Sequence, residues 1–331
     1  MLKLSYQQVV NLSFSRFMEF PDNKEIREAS KRIAPYIHRT PVLTSEYFNN
    51  RLGANLYFKC ENFQKVGAFK SRGAVNAVFS LADKDAKRGV ATHSSGNHAQ
   101  ALARAAALRN IPAYIVMPET APKVKVAAVK GYGGQVTFCK PTLQAREETL
   151  KEIVAKTDAV EIHPYDNLTV IAGQATAALE LIEEQSDLDF ILSPVGGGGL
   201  LSGTALSAHF FSPSTKVIGC EPAGADDAYR SFYSGKLVPS IEPKTIADGL
   251  LTSLGYYTFP IIRRFVSDIV RVEEDDIIEA MRLTYERMKI IIEPSSAVPL
   301  ASLLTGKLDV NGKKVGILIS GGNVDLNHLP F

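Results

Sequence analysis

Residues 65–74 read KVGAFKSRGA, which sets Lys70 between Phe69 and Ser71, with a glycine on either side, just after the apolar run ANLYFKCE at 54–61. A lysine on a polar surface is a solvated point charge. One that is desolvated loses its proton readily and can then attack a carbonyl carbon or take a proton from carbon. In DFILSPVGGGGLLSGTALSAHFF four glycines, Gly196, Gly197, Gly198 and Gly199, stand between an apolar strand and an amphipathic helix. Without Cβ atoms such a loop brings backbone N–H groups close to an anion, and the helix N-terminus adds a favourable dipole. A nucleotide P-loop would continue into Gly-Lys-Ser/Thr, whereas Leu200 and Leu201 follow here. A dinucleotide fingerprint fits poorly, because no acidic residue is expected to end the next strand where a ribose would need one. A small monophosphate fits better; the plain alternative is a tightly packed turn.

The same strand-turn-helix order recurs in VATHSSGNHAQALARA, which carries Ser94, Ser95, Asn97 and His98. Ser or Asn there can cap the helix while its free amides face a cleft, which suits a substrate carboxylate. VGILISGGNVD ends a further apolar strand with Ser320. Its hydroxyl would sit at the carboxyl edge of an open sheet, where such sheets bind ligands, and could meet a ring nitrogen.

These turns need a frame. SRGAVNAVFSLADKDAKR reads as a helix, GVATHS as a strand, NHAQALARAAALRN as a helix, PAYIVMP as a strand, APKVKVAAVKGYG as a helix and GQVTFCK as a strand. After EIHPYDN a second series follows: the helix GQATAALELIEEQ, the strand DFILSPV, a helix after the glycines and the strand KVIGCEP. The helix EEDDIIEAMRLTYERM and the strand VGILIS complete it. The alternation predicts an α/β fold of mainly parallel sheets, arranged as two open-sheet lobes sharing a cleft.

Composition narrows the partners. The 331 residues are 45% hydrophobic and 22% charged, with 37 basic against 35 acidic residues and a net charge of +2. No basic block is present of the kind that binds phosphate backbones or anionic lipid, so neither nucleic acid nor a membrane surface is an expected partner. Cys60, Cys139 and Cys220 are far apart and match neither a disulfide framework nor a paired zinc spacing, which suits a reducing, cytoplasmic setting. No apolar run reaches the roughly 18–20 residues of a membrane span. Residues 1–17, MLKLSYQQVVNLSFSRF, carry Lys3 and Arg16 with no acid. They read as a transit peptide, as a disordered extension, or as the product of an upstream start, with Met18 the effective one.

Taken together, KVGAFKSRGA, SSGNHAQA, VGGGGLLSG and SGGNVD resemble the fold type II, tryptophan synthase β-like, pyridoxal 5'-phosphate enzymes, and within them the serine racemase and serine/threonine dehydratase family. The resemblance runs from about residue 33 to residue 326 and includes IPAYIVMP, HPYDN, IAGQAT, TIADGL and IEPSSA. It implies a large, discontinuous cofactor-binding domain of residues 1–84 and 165–331, with a small substrate-side domain of residues 85–164. It also implies that Lys70 binds pyridoxal phosphate covalently beside Phe69, that Asn97 contacts the ring's 3'-oxygen, that Gly196, Gly197, Gly198 and Gly199 hold the phosphate, and that Ser320 meets the pyridine nitrogen. Ser94, Ser95, Asn97 and His98 would face the substrate. A neutral hydroxyl in place of a carboxylate at the ring nitrogen favours β-elimination over transamination.

Racemisation needs a second acid/base on the opposite face of a planar carbanion, and Ser95 occupies the position that serine racemases use for it. Threonine dehydratases resemble SAGNH here, whereas hydroxyaspartate ammonia-lyases also resemble SSGNH. The resemblance therefore implies a serine racemase with β-elimination activity. Its alternatives are a dedicated serine/threonine dehydratase or a threo-3-hydroxyaspartate ammonia-lyase; a non-catalytic pyridoxal phosphate carrier is more remote. GCEPAGADDAYRS resembles the family's divalent-cation loop, implying Glu221, the Ala225 carbonyl and Asp227 as ligands to Mg²⁺, Ca²⁺ or Mn²⁺, all served by hard oxygen donors. A homodimer is the family expectation. A nucleotide effector at the dimer interface is a family possibility for which no residue set is evident.

Overall fold

The computed structural model describes residues 19–331; the readings of residues 1–17 and of Met18 lie outside the described residues. The strands are β1 (Val42–Leu43), β2 (Asn55–Cys60), β3 (Val90–His93), β4 (Ala113–Pro118), β5 (Gln135–Cys139), β6 (Val160–Glu161), β7 (Phe190–Pro194), β8 (Lys216–Pro222), β9 (Asp268–Val272) and β10 (Lys314–Ile319). They form a six-stranded sheet in the order β1-β2-β10-β7-β8-β9 and a four-stranded sheet in the order β5-β4-β3-β6. Apart from the antiparallel β1–β2 pair, every pairing is parallel. Parallel strands require crossover connections, and the helices that supply them cover the sheet faces. This is why VGILI in β10 is an unbroken apolar run, buried at all five positions after Lys314.

The α/β class and the two open sheets expected from the sequence are present. The strands of the smaller sheet all fall between Val90 and Glu161, and those of the larger sheet lie on either side in the chain. Two local readings change. The stretch read as one helix after Lys70 is two, Lys70–Ser80 and Asp83–Ala86, separated by Leu81 and Ala82 in extended conformation. The acidic Asp83 and Asp85 favour a fresh helix N-terminus there. PSSAVPLASLL, named only as part of a motif, is a helix, Pro294–Leu304. Its first proline sits at the helix start, where the missing N–H costs nothing.

The helix Lys70–Ser80 packs against both lobes. Its apolar residues Ala74, Val75 and Val78 share a core with Ala99, Leu102 and Ile115 of the smaller lobe. Its other side crosses the helix Leu168–Glu184 so closely that a Cβ on Gly173 would lie 2.6 Å from the Gly73 Cα. Beneath it, Arg72 is wholly buried and forms two-pronged bonds to Glu61 (2.7 and 2.8 Å) and Glu180 (2.8 and 2.8 Å). Lys59 adds a 2.6 Å contact to Glu180, so two cations and two carboxylates neutralise one another inside the protein. Paired and fully bonded, such charges are tolerated; singly they would not be.

Candidate active site

Lys70 opens its helix, with Phe69 at the N-cap in helical conformation. The preceding turn is stitched to the end of β10: the Phe69 N–H donates to the Ser320 carbonyl at 3.0 Å, and the Gly322 N–H to the Gly67 carbonyl at 2.9 Å. The Lys70 amine donates to the Pro164 carbonyl at 2.8 Å and lies 5.1 Å from the Phe69 ring centre. Burial lowers its pKa to about 8, against the opposing pull of Glu293. An amine that deprotonates this easily can serve as nucleophile and base near neutral pH.

Ser320 is 2% exposed, and its hydroxyl lies 2.9 Å from that of Ser296. Ser296 is itself occupied: it accepts from the Gly321 N–H at 2.8 Å and donates to the Gly321 carbonyl at 2.7 Å. This bracing orients Ser320 at the carboxyl end of β10, beside the Lys70 turn.

The glycine loop follows β7. Among the described residues, none of the amides of Gly196, Gly197, Gly198 and Gly199 has a hydrogen-bond acceptor. Four orphan donors at the start of the helix Gly199–Phe211 make an anion site, which supports the monophosphate reading over a packed turn. Gly198 has φ +86°, a conformation glycine adopts without strain. A Cβ on Gly197 would lie 2.4 Å from three ring carbons of Tyr165, and one on Gly196 would lie 2.8 Å from the Leu250 Cα.

The 94–98 turn departs from expectation in two respects. The helix Asn97–Leu108 is capped by Gly96, with no side-chain cap. Ser94 accepts from the Gly96 N–H at 3.3 Å, while the Ser95 hydroxyl makes no hydrogen bond among the described residues. Ser and Asn are thus not spent on capping. His98 is only 2% exposed, and its Nε2 bonds the Ile162 carbonyl at 3.2 Å. It braces the lobe from inside, so of the four polar residues at this turn His98 is the one the fold withdraws from the cleft.

Asn97 is held from two sides: its Nδ2 donates to both oxygens of Glu293 (3.1 and 3.0 Å), and its Oδ1 accepts from Asn323 at 2.8 Å. Burial pushes the Glu293 carboxyl up to about 7. Glu293 and Asn323 belong to the motifs IEPSSA and SGGNVD, yet nothing in the sequence gives them a role, because only the fold brings them to Asn97. Tyr165 of HPYDN is hidden in the same way. Arg146 gives no signal at all, since AREE looks like a solvated helix face. Its buried Nε lacks a partner; burial lowers the His93 pKa, and the Arg146 charge adds to that against the opposing pull of Glu147.

The candidate cation loop follows β8, and although burial is the main cause of the raised Tyr165 pKa, the Asp227 charge is near enough to act on it. Glu221 does end β8, contrary to the sequence expectation that no acid closes that strand. Its oxygens accept one amide each, from Ala228 and Tyr229 (2.9 and 2.8 Å), and keep a lone pair apiece, but at 1% exposure the carboxylate is too enclosed to reach a ribose. Asp227 is equally buried, and both of its oxygens lack partners. Burial raises Glu221 to about 9 and Asp227 to about 6. Orphaned buried carboxylate oxygens fit a hard cation. Among the described residues no cluster of three or more His, Cys, Asp or Glu side chains is placed to bind metal, so carbonyls and water would have to complete the shell.

An enclosed lysine, four free amides and a neutral hydroxyl at a sheet edge together fit an enzyme that uses an aldehyde cofactor bearing a monophosphate. The family described as "Pyridoxal-phosphate dependent enzyme" matches residues 33–321. The chain belongs to that family. It is 55% identical to the serine racemase of Dictyostelium discoideum over 312 residues, covering 92% of this chain and 96% of the relative. It is 49% identical to the beta-hydroxyaspartate dehydratase of Paracoccus denitrificans over 314 residues, covering 95% and 100%. The crystal structure of the Dictyostelium enzyme superposes with a TM-score of 0.89 over 92% of this chain and 99% of that one.

Proposed function

We propose that the protein is a serine racemase that also eliminates the β-hydroxyl of serine-type amino acids, giving 2-oxo acid and ammonia. Pyridoxal phosphate, when bound, supplies the electron sink. The chain supplies the rest. Lys70 would hold the cofactor, and its amine, with a pKa lowered to about 8 by burial, would serve as the base for the Cα proton on one face. Ser95 serves the other. The amides of residues 196–199 would hold the phosphate, Asn97 would orient the ring, and Ser320 would offer its nitrogen a neutral partner, which favours β-elimination over transamination.

The observation that carries this reading is the Ser95 hydroxyl, which neither caps the helix nor bonds any described residue. A serine kept only to start a helix would accept from an amide one turn on. Residues 85–164 are taken as the substrate-side domain and 1–84 with 165–331 as the cofactor-binding domain. Glu221, the Ala225 carbonyl and Asp227 are assigned to a structural divalent cation. A cytoplasmic homodimer is the working state. Among the described residues no helix is long and apolar enough to cross a membrane.

The test offers the purified protein L-serine, D-serine, L-threonine and both 3-hydroxyaspartates with pyridoxal phosphate and Mg²⁺, reading oxo acid and enantiomer together. D-serine should form from L-serine, and Ser95→Ala should abolish it while leaving oxo acid measurable. Oxo acid without the second enantiomer would reduce the protein to a dehydratase.

A further inference from the structure

The turn that presents an acceptor to Lys70 is folded around one ring nitrogen. His163 follows β6, and its Nδ1 accepts from the Asp166 N–H at 2.9 Å and from the Tyr165 N–H at 3.4 Å. A ring nitrogen that accepts carries no proton, so this imidazole is neutral with its hydrogen on Nε2. Burial agrees, lowering the His163 pKa to about 4. The ring is held edge-on against Tyr165 (centres 4.6 Å apart, 87°) and His93 (6.1 Å, 86°).

Three contacts hang on this turn. The Pro164 carbonyl receives the Lys70 amine at 2.8 Å. The Tyr165 ring lies where a Cβ of Gly197 would be. The Asp166 carboxylate accepts from the Tyr256, Tyr257 and Thr258 amides at 2.8, 2.7 and 3.2 Å, and the Thr258 hydroxyl donates to the Gly197 carbonyl at 2.9 Å. The reactive lysine and the phosphate cradle are thus both indexed to a segment of four residues. A histidine beside a catalytic lysine invites an acid/base role, but here the lone pair is already used.

We propose that His163 is a positioning residue, whose unprotonated Nδ1 sets the turn that aims the Pro164 carbonyl at Lys70 and seats Tyr165 against the glycine loop. The proposal rests on the reading of Lys70 and residues 196–199 as the cofactor site.

The test compares His163→Asn with His163→Leu in the full chain. Asparagine can accept from amides two and three residues on, as in an Asx-turn, whereas leucine fills similar space with no acceptor. The Leu variant should bind pyridoxal phosphate on the order of tenfold more weakly, the effect of one lost buried acceptor, and the Asn variant within about threefold of the wild type. The pH midpoint for acetylation of Lys70 by acetic anhydride should move in the Leu variant and not in the Asn variant. Equal affinity and midpoint in the Leu variant and wild type, or equal impairment of both variants, would overturn the proposal. Nitrogen-15 NMR of the unaltered protein tests the same point without any variant: a proton on His163 Nδ1 at neutral pH refutes it, and a bare Nδ1 with the proton on Nε2 upholds it. If the wild type takes up no pyridoxal phosphate, the cofactor reading fails, and the NMR result still judges His163.

Discussion

The sharpest consequence of the cradle geometry concerns Gly197→Ala. The new methyl carbon would sit 2.4 Å from three Tyr165 ring carbons, where ordinary contact begins at 3.4 Å. Ring or loop must therefore retreat by about 1 Å. The ring is poorly free to move, being packed edge-on to His163 with its turn tied down through Asp166. The loop yields instead, and its four free amides are displaced from the positions proposed for phosphate binding. Overpacking of this kind costs about 1–3 kcal/mol. If it falls on the bound state, pyridoxal phosphate should bind roughly 5- to 150-fold more weakly. The assay is an absorbance titration of the cofactor-free chain, run beside the double variant Gly197→Ala, Tyr165→Leu. That double variant should recover most of the loss relative to Tyr165→Leu alone. Gly198→Ala supplies the contrast: its Cβ would meet Ile262, Leu254 and Thr258, and its φ is +86°, so trimming Tyr165 should not rescue it. Affinity within about twofold of wild type for Gly197→Ala, or no rescue by Tyr165→Leu, refutes the argument.

Three further outcomes are expected. The neutral Lys70 amine is the reactive form, and burial brings its pKa down to about 8, so the rate of pyridoxal phosphate uptake should rise with pH and level off above that value; a midpoint near the ordinary lysine value of about 10.4 would contradict the enclosed site. Arg72→Met leaves Glu61 and Glu180 buried with only Lys59 between them and should cost about 3–5 kcal/mol in urea unfolding. Arg72→Lys should rescue little, because an ammonium cannot make both two-pronged contacts. Added Mg²⁺ should raise the thermal midpoint of the wild type and leave that of Asp227→Asn unmoved; an equal rise in both would remove Asp227 from the cation site.

Much of this molecule is legible in the chain, for reasons of local physics. Strands buried on both faces are apolar through their interiors, so FILSPV, VIGC and VGILI announce a parallel sheet, and the glycines at 196–199 announce a tight turn in which amides lie open because no Cβ covers them. Lys70 stands out by the company it keeps in KVGAFKSRGA. The sequence also marks residues 94–98 as polar. It could not show that Gly96, not a serine, begins the helix, or that His98 turns inward to Ile162. Those outcomes depend on backbone angles and burial that neighbours far along the chain impose.

What only the tertiary structure decided is the pairing of distant residues. Glu293 reaches Asn97 across 196 positions, Asn323 reaches it across 226, and Glu180 reaches Arg72 across 108. No periodicity or spacing encodes such contacts, because each exists only after two separately folded segments pack. The chain by itself determined which groups could do chemistry: a lysine, a serine and a run of free amides. The fold decided which of them meet, since a hydrogen bond acts over about 3 Å while sequence separation says nothing of distance.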